Sequence, residues 1–355
     1  MAAWTWLIPA LSLALLAAGL VAGVGTLLAV VCGAALIGAV LAAVHHAEVV
    51  AHRVGEPFGT LVLAVAVTVI EASLILSIML AGGPDAAALP RDTIYAAVMI
   101  ICNGVVGLCV LVGGLAHREQ AFRVEGASAG LAALIVLAVF SLVLPVFTIS
   151  TPEGTYNNAQ LAFAAVTSAI LWAVYVFIQT VRHRDYFLPP TDASSPDVHA
   201  APPTNLQAWA SFGLLIVSLV AVVGLAKILS PLIEEGIAKA GAPKAVIGIV
   251  IALLVLLPET WAAVRAARAN RLQTSMNLAL GSALASIGLT IPVVAVASIV
   301  MGIPLILGLD GKGLVMLVLT FLLSTVTLAT GRTHIMQGAV HLVVFAAFLF
   351  LAFVP

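Results

Sequence analysis

Two acidic residues lie deep inside apolar stretches, Glu71 in AVAVTVIEASLILSIM and Glu259 in IVIALLVLLPETWAAV. An ionised carboxylate is costly inside a bilayer, so acids at such depth usually serve an ion pathway. Burial favours the protonated form and a bound cation favours the ionised form, so such a group can exchange protons for metal ions. The alternative is that each acid pairs with a buried base, but Lys and Arg fall near the ends of the other apolar stretches. The two acids therefore predict a site for cations and protons.

A proline directly precedes the second acid. Pro258 donates no backbone N–H, so the helical hydrogen bond to the carbonyl of Leu254 is lost. A carbonyl beside a carboxylate is a suitable cation ligand, and interrupted helices serve this purpose in transporters. Leu254 is therefore a candidate backbone ligand, with a packing kink as the alternative. At Pro292 the kink is the favoured interpretation.

Polar side chains on two further apolar stretches are candidates to complete the site. Asn103 could offer its amide oxygen to a cation or make an interhelical hydrogen bond, and the two interpretations carry equal weight. Ser282 and Ser286 are one turn apart and share a stripe of small residues with Gly281 and Ala285. Such a stripe is more typical of close helix packing than of ligation, although both can hold.

His45, Glu48 and His52 follow an i, i+3, i+7 spacing, which places them on one face of a helix. This spacing suits a metal site, but a polar cluster at the cytoplasmic end of the second span is the favoured interpretation. A role in cation access or proton relay is compatible with both. His341, inside the last apolar stretch, is expected to be a helix-contact residue, with proton relay as the alternative.

The composition identifies a membrane protein. Of the 355 residues, 63% are hydrophobic and 8% are charged, against about 25% charged in a typical soluble domain. Apolar runs of about 20 residues indicate helices rather than the alternating strands of a barrel. The net charge of −1 gives no electrostatic reason to expect nucleic acid as a partner. The fold class is therefore an all-α polytopic membrane protein.

Hydropathy predicts eleven transmembrane helices, and we expect the first to be retained because no basic region precedes it. The predicted spans are 4–22, 24–44, 57–81, 92–115, 126–149, 158–181, 207–229, 243–266, 273–301, 313–330 and 334–354.

The loop charges predict the orientation. Nine of the fourteen basic residues follow even-numbered spans, which places those loops in the cytoplasm, the N-terminus inside and the C-terminus outside. These nine are Arg53, Arg118, Arg123, Arg182, Arg184, Arg265, Arg268, Arg271 and Arg332.

A segment rich in Pro, Ser and Asp, residues 183–206, reads as a cytoplasmic linker. Five spans precede it, apart from the first helix, and five follow it. An odd number of spans per half gives the halves opposite orientations, as in inverted-repeat transporters. We therefore expect an N-terminal helix (1–23), two inverted five-helix repeats (24–182 and 207–355) and the linker between them.

Three stretches resemble the cation/proton exchanger family of the calcium/cation antiporter superfamily, in particular its bacterial ChaA-type calcium/proton antiporters. They are HHAEVVAHRVGEPFGTLVLAVAVTVIEASLI (45–75), LLPETWAAV (256–264) and MNLALGSALASIGLTIPVV (276–294). The resemblance implies that two motif acids bind the cation and exchange it for protons. By position these acids are Glu71 and Glu259. The polar residues of the next helices match Asn103, Ser282 and Ser286, and an upstream acid matches Glu48.

The chain departs from the commoner family motif, Gly-Asn-x-x-Glu. That motif occurs once in each repeat, and Thr68 and Leu256 stand where its two copies have asparagine. Two amide ligands are therefore missing, which matters for calcium because it takes six to eight oxygen ligands.

The resemblance implies a secondary cation/proton antiporter of the bacterial inner membrane that exports Ca²⁺ in exchange for protons by alternating access. Na⁺/H⁺ or K⁺/H⁺ exchange by the same fold is the alternative. Its expected partners are the transported ions, the lipid bilayer and a second copy in a homo-oligomer, with no cofactor. A metal-dependent intramembrane hydrolase built on His45, Glu48 and His52 is a remote alternative, because the His-Glu-x-x-His arrangement is absent.

Overall fold

The computed structural model describes residues 3–55, 58–151, 154–188, 203–239, 241 and 243–354, and this part of the chain forms eleven long helices. The helices are α1 (Ala3–Ala22), α2 (Thr26–Val54), α3 (Phe58–Gly82), α4 (Leu89–His117), α5 (Val124–Phe147), α6 (Asn158–Arg182), α7 (Asn205–Lys239), α8 (Ala245–Arg268), α9 (Leu272–Met301), α10 (Gly311–Ala329) and α11 (Ile335–Phe353).

The helical architecture confirms the predicted fold class, and the described residues form eleven long helices where eleven spans were predicted. Ten of the described helices are long and apolar enough to cross a membrane, and α3 carries the apolar stretch Val65–Leu80. A helix satisfies its own backbone hydrogen bonds, which a bilayer requires of a spanning segment. Side-chain caps start several helices: Asn157 and Gln160 form a capping box at α6, and Asp310 accepts from the N–H of Gly313 at α10.

Two helices extend well beyond the hydropathy estimates. The predicted second span ends at residue 44, but α2 continues to Val54 and stops where Gly55 adopts a φ of 77°. The predicted seventh span ends at residue 229, but α7 continues to Lys239 with Pro231 inside it. In both cases the sequence becomes polar, so the hydropathy falls, but the backbone remains helical for about ten more residues.

The predicted linker falls mostly on residues 189–202, which lie outside the described residues. Before this gap, Arg184–Phe187 forms a 3₁₀ turn, and after it α7 begins at Asn205. Glu56 and Pro57 also lie outside the described part of the chain.

The chain divides into two compact units. Unit 1 comprises residues 1–87 and 197–247 and contains α1, α2, α3 and α7. In this unit His46 Nε2 lies 2.7 Å from the carbonyl oxygen of Thr5. Pro9, four residues after Thr5, has no N–H to offer that carbonyl, so the imidazole N–H of His46 donates to it and joins α2 to α1.

Unit 2 comprises residues 88–196 and 248–355, which hold α4, α5, α6, α9, α10, α11 and nearly all of α8. Here α4 and α11 pack closely through glycines. An added Cβ on Gly338 would lie 2.5 Å from the backbone nitrogen of Leu111 and 2.8 Å from the carbonyl oxygen of Gly107. Small residues at such a contact let two helix backbones approach.

Two short backbone pairings join connecting segments of unit 2. Strand β1 (Glu119–Ala121), between α4 and α5, pairs antiparallel with β2 (Arg332–His334), between α10 and α11. At the other end of α5, Thr155 forms a β-bridge with Ile306, which links the α5–α6 and α9–α10 connections. Beside this bridge the hydroxyl of Tyr156 donates to the carbonyl of Phe140, and burial raises the pKa of Tyr156 to about 12.

Candidate functional site

Glu71 occupies the middle of α3 in unit 1. Its side chain is 3% exposed, between the fully buried Ile70 and the buried Ala72. Thr68, one turn earlier on the same face, is also buried. The deep burial predicted for this acid is therefore present in the fold.

Glu259 lies in α8 within unit 2 and is partly buried. Pro258 lies inside α8 without ending it. Because proline has no N–H, the carbonyl of Leu254 receives no helical hydrogen bond from position 258. Two residues further, the carbonyl of Leu256 accepts from the hydroxyl of Thr260 at 2.7 Å. Leu254 as a backbone ligand of a cation stays a prediction.

Asn103 is fully buried in a π-helical stretch of α4, Ile100–Val105. Its amide nitrogen donates to Thr320 Oγ1 at 2.8 Å, and its amide oxygen lies 3.2 Å from His341 Nδ1. The other ring nitrogen of His341 lies 3.0 Å from Thr327 Oγ1. The structure therefore places Asn103 in an interhelical hydrogen-bond network, which we call the Asn103 network, that connects α4, α10 and α11.

Sequence reasoning did not connect these residues. Asn103 and His341 were identified separately, and the threonines of α10 were not identified. A usable signal is the spacing of Thr320 and Thr327, two turns apart on one face of an apolar helix. Two hydroxyl groups on one face can serve partners on neighbouring helices, as they do here.

Ser282 and Ser286 lie on α9 of unit 2, the first partly buried and the second buried. The close contact of α9 is elsewhere on the helix: a Cβ added to Gly288 would lie 2.7 Å from Trp172 Cβ on α6, whereas one added to Gly281 would meet no described atom within 4 Å. Packing therefore does not explain Gly281, and ligation by the two serines stays a prediction.

His45, Glu48 and His52 lie within the last turns of α2, inside the helix and not beyond its end. Glu48 and His52 are exposed, and His45 packs against the ring of Trp4 with centroids 5.0 Å apart. Among the described residues no group of three His, Cys, Asp or Glu side chains is placed to hold a metal ion. The polar cluster and the role of Glu48 in cation access or proton relay stay predictions from the sequence.

Glu71 belongs to unit 1, whereas Glu259, Asn103, Ser282 and Ser286 belong to unit 2. Within unit 2, Asn103 is hydrogen-bonded to Thr320 of α10 and His341 of α11. That both acids serve one exchange step remains a prediction from the sequence.

Comparison with known proteins gives two matches within the chain to one family, described as "Sodium/calcium exchanger protein", over residues 24–181 and 210–354. The chain is 48% identical to y4hA of Sinorhizobium fredii over 99% of this chain and 96% of that protein. It is 37% identical to the sodium-potassium/proton antiporter ChaA of Escherichia coli over 90% of this chain and 87% of that protein.

Solved structures show the same fold. A crystal structure of the H⁺/Ca²⁺ exchanger CAX matches 98% of this chain and 87% of that chain, with a TM-score of 0.72 at 16% sequence identity.

Proposed function

Because the chain belongs to the sodium/calcium exchanger protein family, we propose that it is a cation/proton antiporter whose exchange depends on Glu71 and Glu259. It is an integral membrane protein and a secondary transporter, so the hydrolase alternative is set aside. The observation that carries the proposal is the burial of Glu71 in the middle of an apolar helix, at 3% exposure. Such a carboxyl group is stable in membrane surroundings when it binds either a proton or a cation.

The mechanism follows from this competition. When protons occupy the carboxyl groups, no charge attracts a cation. When a cation binds, it favours the ionised carboxylates and protons leave. Exposure of the acids to the two sides of the membrane in turn then couples the inward proton gradient to outward cation transport.

Ca²⁺ is the first candidate for the exported cation, because two carboxylates supply the two negative charges that balance a divalent ion. Na⁺ or K⁺ is the second candidate, and two observations favour it. Thr68 and Leu256 replace two amide ligands of the commoner motif, which leaves fewer oxygen ligands than that motif offers to Ca²⁺. The relative ChaA, 37% identical over 90% of the chain, is named for sodium and potassium.

The proposed location is the bacterial cytoplasmic membrane, with the N-terminus inside and the C-terminus outside. The support is the asymmetry of Lys and Arg between alternate connections. Loop charge acts during insertion, so it supports an orientation independently of the transport chemistry.

The test is proton flux in everted membrane vesicles that carry the protein. A proton gradient is built up, and Ca²⁺, Na⁺ and K⁺ are added separately. We expect at least one cation to release the gradient. Glu71→Gln and Glu259→Gln should each remove this response, whereas Glu125→Gln, at an exposed carboxylate in the first turn of α5, should retain it. A wild-type protein that responds to none of the three cations would contradict the proposal.

A further inference from the structure

We infer that His341 is a positioning residue for Asn103: it holds the Asn103 amide as a neutral imidazole with its proton on Nδ1, and it does not carry transported protons. What Asn103 contributes to transport rests on the proposed antiport function. The neutral charge and the tautomer of His341 are inferred from hydrogen-bond geometry within unit 2 alone.

The donor and acceptor roles in the Asn103 network can be assigned starting from Thr320. Its hydroxyl lies 2.8 Å from the carbonyl of Met316, one turn earlier, and 3.3 Å from Met99 Sδ, and its single proton goes to one of these two acceptors. Thr320 Oγ1 can therefore only accept from Asn103, so the atom of Asn103 at 2.8 Å is its NH₂ group. This fixes the orientation of the amide.

The amide orientation then fixes the tautomer of His341. With its nitrogen toward Thr320, Asn103 turns its oxygen toward His341 Nδ1 at 3.2 Å. An amide oxygen only accepts, so Nδ1 carries the proton. In the neutral ring Nε2 then has a lone pair, and the hydroxyl of Thr327, at 3.0 Å, donates to it.

The surroundings of the ring favour this neutral state. Asn103, Thr320 and His341 are 0% exposed and Thr327 is 1% exposed. The two side chains that hydrogen-bond to the imidazole within the described residues, Asn103 and Thr327, carry no charge. A second proton would put an unbalanced charge in a fully buried place and would reverse the bond from Thr327, and both changes are costly.

Close packing prevents the ring from moving away. A Cβ added to Gly107 on α4 would lie 2.9 Å from His341 Cβ, and one added to Gly104 would lie 3.3 Å from the ring of Phe345. The two glycines thus bring α4 against the part of α11 that carries the imidazole. An amide oxygen has two lone pairs, so Asn103 keeps one acceptor position after His341 has used the other. His341 therefore sets where that remaining position points.

Two substitutions at one residue separate positioning from proton transfer. Asparagine places an N–H near the position of Nδ1, so His341→Asn keeps the donor to Asn103. Glutamine places its amide near Nε2, so His341→Gln keeps a partner for Thr327 and loses that donor. Neither variant titrates, so a proton carrier would be lost equally in both.

We expect His341→Asn to stay close to wild type in thermal stability and cation KM. His341→Gln should unfold at a lower temperature and raise the cation KM roughly three- to twentyfold, the range for one interhelical hydrogen bond, with little change in maximal rate. The pH profile of transport should be unchanged in both. Equal impairment of the two variants, or a pH profile shifted in His341→Asn, would overturn the inference.

A direct readout does not depend on transport. In protein labelled with ¹⁵N-histidine, the resonance that disappears in His341→Asn belongs to His341. We expect it to report a neutral ring protonated on Nδ1 from pH 6 to 8. A ring protonated on Nε2, or a doubly protonated ring, would refute the inference even if the antiport proposal holds. A transport-inactive wild type with the expected tautomer would refute the function and leave the inference standing.

Discussion

The burial of one carboxyl group makes a direct prediction at the scale of single residues. Glu71 is 3% exposed, and in the proposed mechanism its charge changes with the ion that it binds. Glutamine keeps the size and polarity of glutamate but removes the charge and the titrating proton. We therefore expect Glu71→Gln and Glu259→Gln each to abolish antiport and not to halve it, while both proteins insert normally because a buried charge has been removed. Vesicle flux and membrane expression measure the two effects.

Glu48→Gln is the graded comparison, because Glu48 is exposed on α2. It should change the apparent cation affinity or the pH dependence more than the maximal rate. Coupled flux that survives in either Glu71→Gln or Glu259→Gln would refute a shared exchange step. Failure of these variants to fold would instead show that the acids are structural partners.

Ion preference depends on the residues that replace the motif asparagines. Thr68 is buried one turn before Glu71, and it offers a hydroxyl where the commoner motif has an amide. With fewer oxygen ligands we expect a Ca²⁺ dissociation constant on the order of 10⁻⁶ to 10⁻³ M, with measurable competition by Na⁺ or K⁺. Calorimetric titration of the purified protein tests this, and strictly selective nanomolar binding would count against it.

The sequence predicted the individual polar residues better than their partners. Glu71 was identifiable because a charge in an apolar run is conspicuous without any structure. The bond between Asn103 and His341 joins residues 238 positions apart, and no local pattern encodes that separation. Only the packing of α4 against α11 brings the two side chains together.

At the scale of the helices, length and apolarity predicted all eleven elements because a spanning helix needs about 20 apolar residues. The ends of α2 and α7 could not be predicted in this way. Hydropathy falls at His45, but the backbone stays helical until Gly55. The π-helical stretch Ile100–Val105 was also not predictable, since hydropathy does not distinguish a π-helical turn from an α-helical one.

The contact of α4 with α11 makes a prediction about stability. In Gly338→Ala the new methyl group would meet backbone atoms of Leu111 and Gly107, at 2.5 and 2.8 Å, which cannot rotate away. We expect a loss of about 1–3 kcal/mol, the usual effect of overpacking. Thermal unfolding in detergent measures it.

Gly213→Ala on α7 is the matched control. Gly213 is exposed, and an added Cβ would meet no described atom within 4 Å. It should be neutral or stabilising by up to ~1 kcal/mol, because alanine favours a helix more than glycine does. If Gly338→Ala and Gly213→Ala unfold at the same temperature, the close contact of α4 with α11 does not contribute to stability as predicted.

At the scale of the whole molecule, the family match to residues 24–181 and again to 210–354 supports two repeats. The backbone pairings of unit 2 agree with this. If the two repeats are matched helix by helix, each helix corresponds to the one five places away in the chain. The α4–α5 connection then corresponds to the α9–α10 connection, and the α5–α6 connection corresponds to the α10–α11 connection. The β1–β2 pairing therefore has the bridge of Thr155 with Ile306 as its equivalent. Because α5 separates them, they lie at opposite ends of unit 2, as inverted repeats require.

The inverted arrangement depends on an orientation that can be measured. Nine of the fourteen basic residues follow even-numbered helices, so the connection after α6 should be cytoplasmic and the one after α5 external. The test places a cysteine at Ser194, in the predicted linker, or at Ser150, between α5 and α6, in a protein whose three native cysteines are alanine. An impermeant thiol reagent added to intact cells should label Ser150→Cys and not Ser194→Cys, and permeabilised cells should show both. The reverse pattern would invert the proposed direction of each repeat, because α6 separates positions 150 and 194 along the chain.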